Sequence, residues 1–448
     1  MAERDERRKI GDKVKKSLDY SIKEGVSASV MSGAADNFVS PYAIALKASN
    51  FQLGLLSALS NLIPVEIITT KMMQSQKFSR KSIVLGGVFA QILILVLISL
   101  LGFLFLKSPS IAPILLILLF TIYASTSLFV SPAWSSWMKD LTEKVKIGKY
   151  FGIRSKICGI AGLITIVLVG IVLDVFKKAN LVLLGFTLIF IIAAISRTIS
   201  RSYLKKQYEP KLKLRDGYFF SFWQFIKKSP SNNYGKFVIF IALINFSVMI
   251  AGPFFTPYML KDLGFNYITF TIINLVISGV ATLLTVPLWG KFVDKFGCVT
   301  TMKITVWMVP IIPILWIASP SPYWLFVVQI ISGITWAGFN LAAGTFHYET
   351  ITKERMSLCI AYSSILNGVA IFLGAIIGGL IASLNISFMN IYLFIFLISG
   401  IARIIVISAL FPLIKEVRSV KKLPVEKFRI EFHKIKLDIP FKIHFKGI

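Results

Sequence analysis

Phe38-Val-Ser-Pro-Tyr42 recurs 216 residues later as Phe254-Phe-Thr-Pro-Tyr258. Both copies lie in long apolar runs, and the spacing is close to half of the 448-residue chain. Other pairs repeat in the same order. Asp140 matches Glu349, Lys146 matches Arg355 and Gly159 matches Gly368, all at an offset of 209. Arg197 in Ile-Ser-Arg matches Arg403 in Ile-Ala-Arg at an offset of 206. An offset that shrinks along the chain is what loops of unequal length between matching helices produce. The chain therefore reads as two halves of like structure.

Composition says in what medium those halves fold. Hydrophobic residues make up 56% and charged residues 16%, against about 25% charged in soluble domains, and the mean hydropathy is +0.76. That excludes a soluble globular enzyme and a disordered chain. Apolar runs of bilayer-crossing length give twelve expected helices, numbered here in order: 25–46, 51–71, 82–106, 110–137, 152–175, 180–199, 236–258, 266–289, 298–318, 322–346, 357–384 and 388–412. The Lys and Arg distribution orients them. With the N-terminus in the cytoplasm, 43 of the 49 fall in inside segments and 5 in outside loops, and Arg403 lies within helix 12. The +28 net charge is thus topological, directed at anionic inner-leaflet lipid, and points to no nucleic-acid partner. Six spans per half is an even number, so the repeats run parallel, related by an axis along the membrane normal. Cys158, Cys298 and Cys359 lack metal or disulfide spacing, no phosphate loop GxxxxGK[ST] occurs, and no Ser/His/Asp set or paired-carboxylate motif emerges. The expectation is a non-enzymatic chain with no cofactor and no metal.

Between helices 8 and 9 stands Gly290-Lys-Phe-Val-Asp294-Lys295-Phe-Gly297. It resembles the G-x-x-x-D-[RK]-x-G loop of the major facilitator superfamily. The loop between helices 2 and 3, ending Gln76-Lys77-Phe78-Ser79-Arg80-Lys81, keeps the basic residues but not the acid or the glycines. Pro132-Ala-Trp134-Ser-Ser-Trp137, with Gly148-Lys-Tyr-Phe-Gly152-Ile-Arg154 after it, is similar to a prokaryotic branch with a PAW-x-SW signature and unassigned substrate. The resemblance spans about residues 25–412 and implies an all-α fold of two six-helix bundles, 25–199 and 236–412. A cytoplasmic N-tail (1–24), linker (200–235) and basic C-tail (413–448) complete it. It implies transport of a small organic solute across the cell membrane, by a chain expected to be monomeric. It also implies gating charges at the cytoplasmic ends: Asp140 with Lys146 or Arg154, Glu349 with Arg355, and Gly290, Asp294, Lys295 and Gly297 of the loop. Proton-coupled drug exporters carry an Arg in helix 4 and Gly-Pro-x-x-Gly-Gly in helix 5, and neither is present here.

Asp36 is the most informative residue. It falls mid-helix, on a stripe with Ser29, Ser32, Gly33 and Ser40 at helical spacing. An ionisable side chain at that depth is a functional candidate by default, and desolvation favours its neutral form, so it can hold and release a proton. Glu66 in helix 2 is a second candidate for proton coupling. Expected cavity residues are Asn37, Ser40, Ser127, Ser131, Trp134, Asn245, Trp336, Asn340 and Asn367, any of which could instead glue helices together. Arg197 and Arg403, at equivalent places, are expected to serve structure by snorkelling or by pairing with a carboxylate. Gly374-Ala-Ile-Ile-Gly378-Gly379 reads as a helix-packing surface, and Pro41 and Pro257 as matching bends. Residues 218–226 read as an amphipathic surface helix, and Phe428–Phe445 alternates like a strand. Proton-coupled alternating access is the expectation. Uniport, efflux or a lipid-moving, non-transporting protein are the alternatives.

Overall fold

The computed structural model describes residues 2–60, 65–74, 77–142, 147–210, 221–351, 355–384 and 386–420. The alternating C-tail stretch lies outside them, as do Lys146 and residues 218–220 of the linker.

Among the described residues the elements are helical. Ten helices are long and apolar enough to cross a membrane, and they fall on expected helices 3 to 12. The first two are built from pieces. Helix 1 runs Ala2–Ala35, stops, and resumes as Val39–Ala45; helix 2 is Asn50–Leu59 and Val65–Gln74. Pro41 has no N–H to bond the Asn37 carbonyl, so the chain turns at Asp36-Asn37-Phe38. Helix 7 repeats the irregularity in register: Asn233–Ala251 gives way to a 3-10 turn at Gly252–Phe254, upstream of Pro257, and then to a π-turn at Tyr258–Asp262. Helix 8 begins Tyr267–Phe270, widens into a π-helix at Thr271–Ile277 and continues as Ser278–Phe296. Of the linker, Phe222–Lys228 is a helix. Phe225 is buried in the second bundle against Tyr234 and Tyr362, while Trp223 is 69% exposed.

Each bundle has its own apolar core. Helix 11 shows how sequence sets the close approaches. A Cβ at Gly374 would strike the Phe246 carbonyl of helix 7, one at Gly378 the Ile250 carbonyl, and Gly379 faces Phe51 and Gly54 of helix 2 in the other bundle. Because the obstacle at Gly374 and Gly378 is backbone, overpacking there is expected to cost about 1–3 kcal/mol. Gly378→Val should lower the thermal unfolding midpoint in detergent more than Gly86→Val, where a Cβ meets open space.

Packing between the bundles is lopsided. It pairs helix 2's first piece with helix 11, and helix 5 with the start of helix 8. The hydrogen bonds across the interface cluster at the end away from the basic segments. Asp174 of helix 5 accepts from Tyr267 N (2.6 Å) and Ile268 N (2.9 Å). Lys261 Nζ donates to the Ala48 carbonyl (3.2 Å), Asn50 Nδ2 to Ala382 O (3.1 Å), and Tyr392 OH to Asn50 Oδ1 (2.8 Å). At the basic end, helix 2's second piece packs instead on helix 4 of its own bundle.

Candidate functional site

Asp36 sits at the interruption of helix 1. Ala34, Ala35 and Phe38 beside it are fully buried, yet Asp36 itself is exposed, so the break presents an acid to open space. Ser32 Oγ, one turn earlier, donates to its Oδ2 at 2.5 Å, and Tyr123 OH of helix 4 donates to Oδ1 at 2.8 Å. Tyr123 OH also lies 2.8 Å from Met31 Sδ. Among the described residues no Lys or Arg comes within ion-pair distance of Asp36. A carboxyl served by neutral hydroxyls is able to exist in either protonation state.

The other expected cavity residues divide into small polar groups. Asn37 Nδ2 donates back to Ser32 O at 3.4 Å, and Ser40 is half-buried. Ser127 accepts from Gln91 Nε2 at 2.8 Å. Ser131 and its repeat partner Asn340 are both exposed. Trp134 carries the Arg154 guanidinium over its ring at 4.8 Å. In the second bundle Asn245 Nδ2 donates to Asn367 Oδ1 at 2.7 Å, joining helices 7 and 11, and Trp336 packs edge-on to Phe339. Sequence reasoning missed a second amide pair, Gln329 Nε2 to Asn274 Oδ1 at 3.0 Å, with Asn274 on the π-helix of helix 8. The available signal was an amide inside an apolar run, and π-segments occur frequently at functional sites. The Glu66 side chain lies outside the described residues.

Asp140 and Glu349 meet arginines that the sequence reading did not name as their partners, and Lys146 lies outside the described residues. Asp140 pairs with Arg80 at 2.7 Å, not with Arg154, which binds Glu24 at 3.0 Å. Arg80 is 1% exposed and also reaches Ser136, the Pro210 carbonyl (2.7 Å) and Glu209 (3.6 Å). Glu349 pairs with Arg418 (3.7 Å) and accepts from Cys298 Sγ (3.3 Å); Arg355 stands at the start of helix 11. Arg418 also donates to the carbonyls of Val293 and Asp294. Gly297 adopts a φ of +88° and lies against the Glu416 carboxylate, so both backbone and space demand glycine at the end of the loop motif. Gly290 meets only ordinary contact, from Leu341, and Lys295 lies over the Phe296 ring.

The two ends are built alike. Glu209 and Glu416, twelve and thirteen residues after the repeated arginines, bring the segment after helix 6 or helix 12 back onto the ends of its own bundle. Both were discoverable by extending the repeat past Arg197 and Arg403. Removing one partner of a fully buried ion pair costs about 3–5 kcal/mol; here Asp140 is 36% exposed and can be solvated, so the cost is smaller. Arg80→Ala is still expected to lower the folded yield in detergent clearly, and Lys156→Ala, at an exposed position, to lower it little.

Arg197 and Arg403 are both buried, with different neighbours. Arg197 lies 3.7 Å from Glu24 and donates to Gln91 Oε1 at 2.7 Å. Arg403 donates to the Val309 carbonyl at 2.9 Å, which Pro313 leaves without its helical donor. The carboxylate pairing expected of both thus holds in the first half, and a carbonyl cap replaces it in the second.

Known proteins corroborate the architecture. Residues 237–446 match the family model of the Major Facilitator Superfamily. No curated protein sequence matches the chain. A crystal structure of a mutant of the nucleoside transporter NupG matches with a TM-score of 0.70 at 14% identity, over 89% of this chain and 100% of that one. A bacterial homologue of the iron transporter ferroportin in an inward-facing state matches at 0.65 and 15% identity, over 89% and 99%. A bacterial ferroportin homologue in an outward-facing state matches at 0.54 and 15%, over 90% and 99%. The second half of the chain thus matches the Major Facilitator Superfamily model, and the chain as a whole has the fold of these multi-pass membrane transporters.

Proposed function

We propose that this protein carries a small organic solute by alternating access, coupled to protons through Asp36. Asp36 is the observation that carries the reading: a carboxyl at the break of helix 1, exposed, with Ser32 and Tyr123 as hydroxyl partners. Discontinuous membrane helices at matching points of the two repeats are where transporters of this kind bind substrate and coupling ion. The positive-inside count places the basic end in the cytoplasm, so the sealed end faces out. That supports an inward-facing state, as does the higher TM-score to the inward-facing ferroportin homologue than to the outward-facing one, 0.65 against 0.54. Rocking the bundles about the helix 2–helix 11 and helix 5–helix 8 contacts would then open the outside.

The residues offered to a solute are one acid, hydroxyls and paired amides. Amides give and take hydrogen bonds at once, which suits a neutral polar solute. The neighbours named for nucleosides and iron set the order of the screen. Purified protein in liposomes would be given nucleosides, sugars, amino acids, organic acids, cationic drugs and ferrous iron, with and without an inward proton gradient. Gradient-driven accumulation of an organic solute supports the proposal. Accumulation of ferrous iron alone, or uptake indifferent to the gradient for every solute, overturns it.

A further inference from the structure

A chain of hydrogen bonds leads from Asp36 to the basic end, inside one bundle. Tyr123, which donates to Asp36, accepts at its carbonyl from Ser127 Oγ (3.4 Å). Ser127 takes Gln91 Nε2 (2.8 Å), and Gln91 Oε1 takes Arg197 Nε (2.7 Å). Arg197 Nη1 donates to Ser200 Oγ (3.0 Å), which donates to Glu24 Oε1 (3.1 Å). Glu24 Oε2 is held by Arg154 Nη2 (3.0 Å). Gln91, Arg197, Ser200 and Glu24 are all buried.

The charges in this chain do not balance without Asp36. Two guanidiniums, Arg154 and Arg197, face one fixed carboxylate, Glu24. Arg154 makes the closer pair, 3.0 Å against 3.7 Å. Arg197 is held by the neutral Gln91 and Ser200, and its field reaches Asp36. The groups that face Asp36 are Tyr123 from helix 4 and, through the field, Arg197 from helix 6. Glu24 lies further along helix 1, with Arg154 of helix 5 behind it, and helix 3 contributes the neutral Gln91; the Glu66 side chain of helix 2 is outside the described residues. A buried cation short of a counter-charge is costly, and an ionised Asp36 supplies that charge.

The repeat provides an internal control. The second half keeps the arginine, Arg403, but has Phe240 at the place of Glu24, Val309 at the place of Gln91 and Gly252 at the place of Asp36, by the offsets of the surrounding helices. There the arginine only caps a carbonyl. If bracing helix 12 or helix 6 were the whole duty, the first half would not need two acids and an amide around its copy.

We infer that Arg197, positioned by Gln91 beside Glu24 and acting on Asp36 at longer range through the hydrogen-bond chain and its field, sets the pH at which Asp36 exchanges its proton. Arg197 is a positioning residue in this scheme, not a solute contact. The inference rests on the reading of Asp36 as the proton-exchanging group. It predicts opposite signs for two neutralisations. Removing the Arg197 charge leaves ionised Asp36 without its cation, so Asp36 holds its proton to higher pH. Removing the Glu24 charge leaves Arg197 with Asp36 as its remaining counter-charge, so Asp36 releases its proton at lower pH.

The test needs no substrate. Infrared difference spectra of the full-length protein in lipid vesicles, titrated with pH, report protonated carboxyls, and the Asp36 band is the one that Asp36→Asn removes. Arg197→Gln is expected to move its midpoint up, and Glu24→Gln down, each by about one pH unit, a tenfold change in proton concentration. Arg197→Lys should restore most of the wild-type midpoint. Gln91→Leu, which keeps every charge but frees Arg197, should displace the midpoint and serves if Arg197→Gln fails to fold. Midpoints that stay put, or that move in one direction for both neutralisations, overturn the inference and leave Arg197 a brace. Spectra identical in wild type and Asp36→Asn remove Asp36 from proton exchange, and the inference falls with that reading.

Discussion

Asp36→Asn is expected to fold and reach the membrane but to lose gradient-driven accumulation. The substitution keeps the size of the side chain and one acceptor oxygen, and its amide NH2 can donate to whichever hydroxyl, Ser32 or Tyr123, loses its acceptor, so helix 1 retains its break. What it cannot do is change charge. One charge moved through 100 mV is worth about 2.3 kcal/mol, or roughly fiftyfold accumulation. In liposomes the accumulation ratio of a transported solute should therefore fall from that scale toward one. Exchange of solute at equal pH on both sides should continue, because the exchange path needs no net proton. Loss of both gradient-driven uptake and exchange would make Asp36 a solute contact or a fold determinant. Accumulation equal to wild type would end the case for coupling at this residue.

The sequence showed where membrane helices lie more readily than how they are interrupted. A span is written in about twenty consecutive residues, so helices 3 to 12 were legible in order. Helices 1 and 2 were read as continuous spans because their apolar content is sufficient. The break at Asp36 came from the conjunction of Pro41 with Asp36-Asn37; reading Pro41 and Pro257 as matching bends anticipated the pair, but not the chain turn at residues 36–38 or the 3-10 turn at Gly252–Phe254. Charge pairing was misjudged for a related reason. Asp140 was matched to bases nearby in sequence, yet its partner Arg80 lies 60 residues away, and Arg154 binds Glu24 at a separation of 130. Helix ends from different hairpins meet at the same end of a bundle, so proximity in sequence is a poor guide there. Glu24 fell at the end of the expected cytoplasmic N-tail, 1–24. In the structure the helix of that tail runs unbroken into helix 1, which carries Glu24 into the buried core beside Arg154 and Arg197.

The seal at the loop-poor end carries the second large effect. Asp174 is buried at the end of helix 5 and spends both carboxylate oxygens on Tyr267 N and Ile268 N, the first amides of helix 8 in the other bundle. Those amides have no partner within their own helix, and the helix N-terminus favours a negative charge. Lys177 lies over the Tyr267 ring at 5.5 Å on the same seam. Hydrogen bonds to charged groups contribute about 1.5–3 kcal/mol each, and this pair exists only while the bundles are closed at that end. Asp174→Ala should weaken the state closed at that end by at least about 2 kcal/mol, shifting the ratio of states by roughly thirtyfold. Spin labels on Lys178→Cys and Pro320→Cys, exposed positions at the outer ends of helices 5 and 9, would report it in a background without Cys158, Cys298 and Cys359. The variant should show a second, longer distance population that is minor in the parent, and Asp174→Asn, which keeps one acceptor oxygen, should fall between. A distance distribution that Asp174→Ala leaves unchanged would show that the close packing of Gly54 on helix 11 and of Gly170 on Thr271 holds the outside shut without the acid.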